Sequence, residues 1–354
     1  MKAQFFGILL NDLTNLTPGP RIGRPSHLAV YQRLDIQIRE FNVYMRGLPT
    51  PMEAPDIWEE ILHWETHHST AIEGNPLILS EVQQLLEEGG VPDSQSSGDD
   101  LEVYGYAEAA EWVYGHAAPS SSWSETEPLL TLNDVRTIHH LAMTPIREVN
   151  PQPTADDQET PGSYRRHDIR SFPNGMTPTS WQVIPAEMAT WIDQANSIRR
   201  DHPRFPAHLA DLHCRFEQIH PFFDGNGRTG RLALNLILVR LGLPPAIILK
   251  RDGVKYLRAL QRADRGEPGT LGGIVAQAIM GTLHRHLLPK LAAPDQLVPL
   301  EALETPDMSL NNLKVVATRG RMRALRGTDN QWRGTRSWVD EYKASRKYRA
   351  GRKK

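Results

Sequence analysis

Two apolar runs of helical spacing meet at one unusual turn, His220-Pro-Phe-Phe-Asp-Gly-Asn-Gly-Arg-Thr-Gly-Arg231. The first run carries Leu209, Leu212, Phe216 and Ile219. Pro221 ends it, because proline lacks an amide donor and disfavours helical backbone at the residue before it. The second run, Leu232 to Val239, starts at once. Between them stand Gly225-Asn226-Gly227. Glycine permits positive φ and close backbone approach, so successive N–H groups can turn inward as an anion-binding nest. The second helix adds the free amides and positive dipole end of its N-terminus. Arg228 and Arg231 are three apart and share a face. Cations there oppose the dipole, which makes sense around an anion. With His220 as a base and Asp224 as a carboxylate able to hold a divalent cation, the stretch describes a polyphosphate site with a proton acceptor beside it.

These residues fit, at every defined position, the Fic signature His-x-Phe-x-Asp/Glu-Gly-Asn-Gly-Arg-x-x-Arg. The chain resembles the Fic family over about residues 55–290. The resemblance implies a mainly α Fic/Fido helical fold with a β-hairpin flap. It implies a protein adenylyltransferase that moves AMP from ATP to a Ser, Thr or Tyr hydroxyl. His220 would be the general base and Phe222 a core anchor for the loop. Asp224 would hold Mg²⁺ on the α- and β-phosphates. Gly225, Asn226 and Gly227 would cradle phosphate oxygens, and Arg228 and Arg231 would bind the β- and γ-phosphates. Attack at an α-phosphorus needs positioning, a base and charge neutralisation of departing pyrophosphate. One carboxylate suffices for Mg²⁺ that is also held by substrate phosphates. A rival reading places a metal on His213, Glu217 and His220, which lie on one helical face. That spacing is not the His-Glu-x-x-His of zinc proteases, and Cys214 reads as a buried small hydrophobe.

A helix from about Trp58 carries Ile57, Ile61 and Trp64 and stops at Gly74 and Pro76. Ser69 and Glu73 lie one turn apart on it. Ser69 to Asn75 fits the Fic inhibitory motif, Ser/Thr-x-x-x-Glu followed by Gly-Asn. In the subgroup where this helix precedes the active loop, its glutamate pairs with the second motif arginine, here Arg231. Physical chemistry agrees, since a guanidinium shaped for phosphate accepts a carboxylate equally well.

Further helices are expected over His27–Gly47, from Leu79 to Glu88, from Glu102 to about Gly115, after Thr131, and over 184–199, 207–219, 228–241, 254–264 and 270–288. Residues 163–183 read as two extended runs about Pro173-Asn174-Gly175, and Asn-Gly is a strong hairpin signal. This resembles the Fic flap, which pins a target segment by strand addition, and brings Tyr164, Arg165 and Arg166 near nucleotide or target. Tyr256 could approach the adenine or pack in the core.

At 354 residues the chain can bury more than one core. Three parts are expected: an arm and helix over 1–54, the catalytic domain over 55–290 with the inhibitory helix at about 57–74, and a basic module over 300–354 after a linker at 292–299. One cysteine fits a reducing compartment, and the faintly signal-like Met1–Leu10 is cut short by Asn11 and Asp12. No membrane span is expected, so the cytoplasm is the default location. Charge is divided unevenly. Residues 307–354 hold fourteen Lys/Arg against four Asp/Glu, a surplus of ten, and the rest of the chain a deficit of twelve. Leu310 to Tyr342, with its Arg-Gly-Arg turn, Trp332 and Trp338, resembles a small winged helix-turn-helix, whose basic character suits DNA. Three functions follow: the inhibited transferase acting on another protein or itself; a Fic-fold enzyme with another donor or one that removes AMP; and a nucleotide-sensing transcriptional regulator that binds DNA through 300–354.

Overall fold

The computed structural model describes residues 25–87, 97–118, 127–149, 158–172 and 176–351. They divide into two compact units, Gln37–Thr282 and the chain from Leu283 with the N-terminal residues to Ile36. This break falls ahead of the stretch at 292–299 read as a linker, where Val298 is a buried strand residue.

The larger unit is helical. Helix α1 (His27–Met45) runs into it from the N-terminal segment and closes through left-handed Arg46 and Gly47. It is followed by α2 (Pro55–Glu73), α3 (Leu79–Glu87), α4 (Gly98–Tyr114), α5 (Leu132–Val149), α6 (Ile184–Asn196), α7 (Phe205–Ile219), α8 (Asn226–Arg240), α9 (Gly253–Asp264) and α10 (Gly269–Thr282). The axis is α8, whose apolar residues from Leu232 to Val239 are all buried. A helix that is apolar all round must be covered all round: α2, α4, α5 and α7 surround it, and α6, α9 and α10 pack on α7. Helix α4 starts four residues earlier than its apolar pattern predicts. Ser97 accepts from the Asp100 amide while Asp100 caps the Ser97 amide, a capping box that draws Gly98-Asp99-Asp100 into the first turn.

The hairpin is not realised as strands. Its Pro173-Asn174-Gly175 turn lies outside the described residues, and the described parts of 163–183 contain no strand. Among the described residues its arms meet where the Phe172 amide donates to the Met176 carbonyl (3.2 Å) and Ser171 Oγ meets Thr177 Oγ1 (3.0 Å). Pro178 has no donor for a ladder, and Thr179 is committed to α7 through Gln218 O (3.0 Å).

The smaller unit carries the only sheet among the described residues. Strands β1 (Val298–Pro299), β2 (Leu325–Arg326) and β3 (Trp332–Gly334) are antiparallel in the order β1-β3-β2, with Val298 opposite Gly334 and Leu325 opposite Arg333. A 3-10 turn (Leu300–Leu303) and α11 (Leu310–Thr318), capped by Ser309, lie between β1 and β2. Helix α12 (Arg336–Gly351) follows β3. Leu300, Met308, Leu313 and Val339 form its core. Among the described residues no helix is long and apolar enough to cross a membrane.

Candidate functional site

The site is the turn between α7 and α8. His220 caps α7 in the left-handed region (φ 49°), its amide donating to Phe216 O at 2.9 Å. Gly225, also left-handed (φ 72°), starts α8. The first helical bond at this end runs from the Thr229 amide to Gly225 O, so the Asn226, Gly227 and Arg228 amides precede the helical ladder. A Cβ on Gly227 would lie 2.6 Å from Glu73 Oε1. The Glu73 carboxylate therefore lies against the Gly227 backbone.

Glu73 reaches it from the end of α2, which Gly74 terminates in the left-handed region. Its Oε1 lies 2.7 Å from Arg231 Nη2, with the arginine side chain 4% and the glutamate 36% exposed. Ser69, one turn back, accepts from Arg231 Nε at 2.7 Å and, through its carbonyl, from Nη2 at 3.1 Å. Burial opposes ionisation of Glu73, but Arg231 overcomes it and holds its carboxyl below the ordinary range. Arg231 in turn is held charged by Glu73 against the cost of burial.

Arg228 turns the other way. Its Nη1 donates to Glu102 Oε1 (2.8 Å), and Nη2 stands 3.6 Å from Asp224 Oδ1. Asp224 is half-exposed at the loop edge, with Oδ1 accepting the Gly225 amide at 2.6 Å. Beside it opens a small cleft of about 30 Å³ lined by Met143, Ile146, Glu159 and Phe223. The Asn226 side chain does not reach toward a ligand. It bonds the Phe222 backbone in both directions at 2.9 Å, leaving only its main-chain amide for the nest.

His220 is half-buried. Burial, then the positive Arg165, depress its imidazole to about 4, against partial support from the Glu217 carbonyl, Asp224 and Glu73. It is a free base at neutral pH. Phe172 packs edge-on against its ring at 5.1 Å.

Three supporting residues lacked a sequence signal for their roles. His139 stacks on Phe222 (3.7 Å, 10°) and bonds Asp224 O (3.0 Å), while the Gly162 amide donates to its Nδ1 (2.7 Å). That bond assigns the proton to Nε2, and burial depresses the ring to about 3. Arg165, placed near nucleotide or target by the sequence reading, is instead a buried clamp. It donates to the carbonyls of His220 (2.8 Å), His167 (2.7 Å), Ile219 (3.3 Å) and Thr179. Glu102 is the third. Arg166 is tied through its amide to Glu159 (2.6 Å), and Arg136 lies over the Tyr164 ring. Tyr256 is core, bonded to His213 Nε2 at 2.6 Å. Among the described residues no group of three His, Cys, Asp or Glu could hold a metal ion, and His213 is spent on Tyr256.

A buried helix pair joined by a glycine turn, with a free-base histidine at one end of the turn, defines the class of helical domain. The comparisons name it. Residues 129–238 match the Fic/DOC family, so this stretch of the chain is a Fic domain. It is 30% identical over 247 residues to the "Protein adenylyltransferase Fic" of Aedes aegypti, covering 68% of this chain and 45% of that protein. It is 28% identical over 241 residues to the Drosophila willistoni protein of the same name, covering 68% and 44%. The chain thus spans less than half the length of these curated relatives. Among solved structures, a fragment of Fic-1 from C. elegans aligns with TM-score 0.56 at 24% identity over 74% of this chain and 72% of that one. A Fic family protein from Desulfovibrio desulfuricans aligns with TM-score 0.52 at 20% identity over 90% and 98%.

Proposed function

We propose that the protein is an adenylyltransferase that moves AMP from ATP to a Ser, Thr or Tyr hydroxyl of a target protein, its own surface included, and that Glu73 restrains it. The observation that carries this reading is the Glu73 carboxylate packed against the Gly227 backbone and paired with Arg231, beside a neutral His220. His220 would take the hydroxyl proton as the oxygen bonds to the α-phosphorus and the bond to pyrophosphate breaks. Arg231, freed from Glu73, and the α8 amides would take the phosphate oxygens. Asp224 fits Mg²⁺: it is a half-exposed carboxylate at the rim of the nest, and the ion commonly needs only one or two carboxylates beside substrate phosphates. When bound, Mg²⁺ would neutralise charge on the departing pyrophosphate. The cytoplasm suits a chain whose one cysteine is a buried free thiol.

The test is labelling by radioactive ATP. Glu73→Gly should raise it and His220→Ala in that background should abolish it. No gain from Glu73→Gly removes the restraint. A nucleotide panel with mass spectrometry of the product separates ATP from other donors, and incubation with an AMP-modified protein reveals the reverse reaction.

For the smaller unit we infer binding to duplex DNA. A helical turn, a bend and α11 lie between β1 and β2, the β2–β3 hairpin follows as a wing, and the sheet order is β1-β3-β2. Asn311, Asn312 and Val315 on α11 are exposed, as are Arg319, Arg321 and Arg323 after it. This is the placement of a helix entering a major groove with cations at the phosphates. In the full chain, Arg321→Ala with Arg323→Ala should weaken duplex binding and reduce the slope of log K against log salt by about two. Binding that is absent, or unchanged in that variant, removes this reading.

A further inference from the structure

The helix that carries Glu73 touches both arginines of the loop, by different routes. Asn75, just past its end, is buried and fully committed. Its amide bonds Thr70 O (3.2 Å), its Oδ1 accepts the Leu77 amide (3.1 Å), and its Nδ2 donates to Asp99 O (3.0 Å) and Glu102 Oε2 (2.9 Å). The second oxygen of Glu102 holds Arg228 Nη1 at 2.8 Å. A continuous chain therefore runs from the end of α2 through Asn75 and α4 to the first arginine of α8, whose side chain is only 7% exposed.

We propose that Glu102 is a positioning residue for Arg228 and that Asn75 orients Glu102, so that the helix restraining Arg231 also aims Arg228. The proposal rests on the transferase reading above. A guanidinium has five donors in a rigid plane. With Nη1 fixed by Glu102, rotation about the end of the side chain is lost, and Nη2 is left 3.6 Å from Asp224 Oδ1, at the loop edge. The contact does not resemble the one made by Glu73. Glu73 lies against the Gly227 backbone and pairs with Arg231, whereas Glu102 grips Arg228 from α4 and is itself gripped by Asn75. It follows that pulling the whole end of α2 away would free Arg231 and unseat Arg228 together. Activation should withdraw Glu73 while Asn75 stays in place.

The experiment compares Glu73→Gly with Glu73→Gly carrying Glu102→Gln or Asn75→Ala, measuring binding of ATP and of AMP by titration calorimetry, the labelling KM and kcat, and Tm. Glu102→Gln should weaken ATP about tenfold, equivalent to one charge-assisted hydrogen bond, and leave AMP within about twofold, because Arg228 would meet only the outer phosphates. Asn75→Ala keeps the Glu102–Arg228 pair and so should fold; it should move the ATP/AMP ratio in the same direction by about threefold. Tighter ATP binding in Glu102→Gln would make Glu102 a second blocker and overturn the proposal. A parallel loss of ATP, AMP and Tm would make its role structural only, and an unchanged ratio would likewise overturn it. If the Glu73→Gly parent neither binds nor uses ATP, the transferase reading fails and this proposal with it.

Discussion

Replacing Glu73 by alanine should exchange folding stability for nucleotide affinity in nearly equal amounts. Arg231 donates to Ser69 Oγ at 2.7 Å and Ser69 O at 3.1 Å, and its Nη2 lies 2.7 Å from Glu73 Oε1. The substitution removes only the last. A charge-assisted hydrogen bond is worth about 1.5–3 kcal/mol. The fully buried limit of about 3–5 kcal/mol does not apply, because Glu73 is 36% exposed and Ser69 remains. The nucleotide-free variant should therefore lose about 1.5–3 kcal/mol in urea unfolding. In the parent, a triphosphate must displace the same carboxylate, so the same free energy is subtracted from binding. The variant should bind a non-hydrolysable ATP analogue about 10- to 150-fold more tightly, and saturating analogue should restore most of its lost stability. An affinity within about threefold of the parent, with stability unchanged, would show that Glu73 does not compete for the anion position.

Three other outcomes follow from the same geometry. With His220 depressed to about 4, kcat/KM in the Glu73→Gly background should hold steady through neutral pH and fall only as pH approaches 4. An acid limb near pH 6.5 would show an imidazole in ordinary surroundings. Arg165→Met strips donors from four carbonyls and should cost about 3–4 kcal/mol in urea unfolding, at roughly 1 kcal/mol per bond, together with labelling. His139, held at about 3 when folded, takes up its proton only in the unfolded chain between pH 6.5 and 3. It should make stability fall with falling pH by up to about 1.4 kcal/mol per unit over that window, a slope that His139→Phe should lessen.

The turn between α7 and α8 was legible because its pattern is local. One proline, two left-handed positions and two arginines lie within twelve residues. The Ser69–Glu73 pair was legible for the same reason, one helical turn apart. The residues that hold the turn in place were not. His139 precedes Asp224 by 85 residues, Arg165 precedes His220 by 55 and Glu102 precedes Arg228 by 126. Contacts at such separation leave no period in a sequence. Arg165 was placed near nucleotide or target without a role, and its burial against four carbonyls shows only in three dimensions. The expected hairpin rested on Asn174-Gly175 and overlooked Pro178, which cannot donate to a ladder.

Arg231 also feels two buried acids besides Glu73. Burial pushes Glu65 and Glu217 each up to about 7, with Arg231 acting in the opposite direction on both. Glu65 accepts the Tyr106 hydroxyl at 2.7 Å, whereas Glu217 Oε1 has no partner. Raised acids hold protons that the unfolded chain releases, so their contribution is full below about pH 4.5 and is lost as pH rises through 7. Without Glu73, the unpaired charge on Arg231 should draw both acids down and let one ionise in its place. That substitute is available at pH 8 and much less so at pH 5.5, where both acids keep their protons. The cost of Glu73→Ala should therefore be larger at pH 5.5 than at pH 8, by on the order of 1 kcal/mol. Urea unfolding of parent and variant at the two pH values measures the difference. Equal costs would mean that Glu65 and Glu217 stay neutral whatever happens to Glu73.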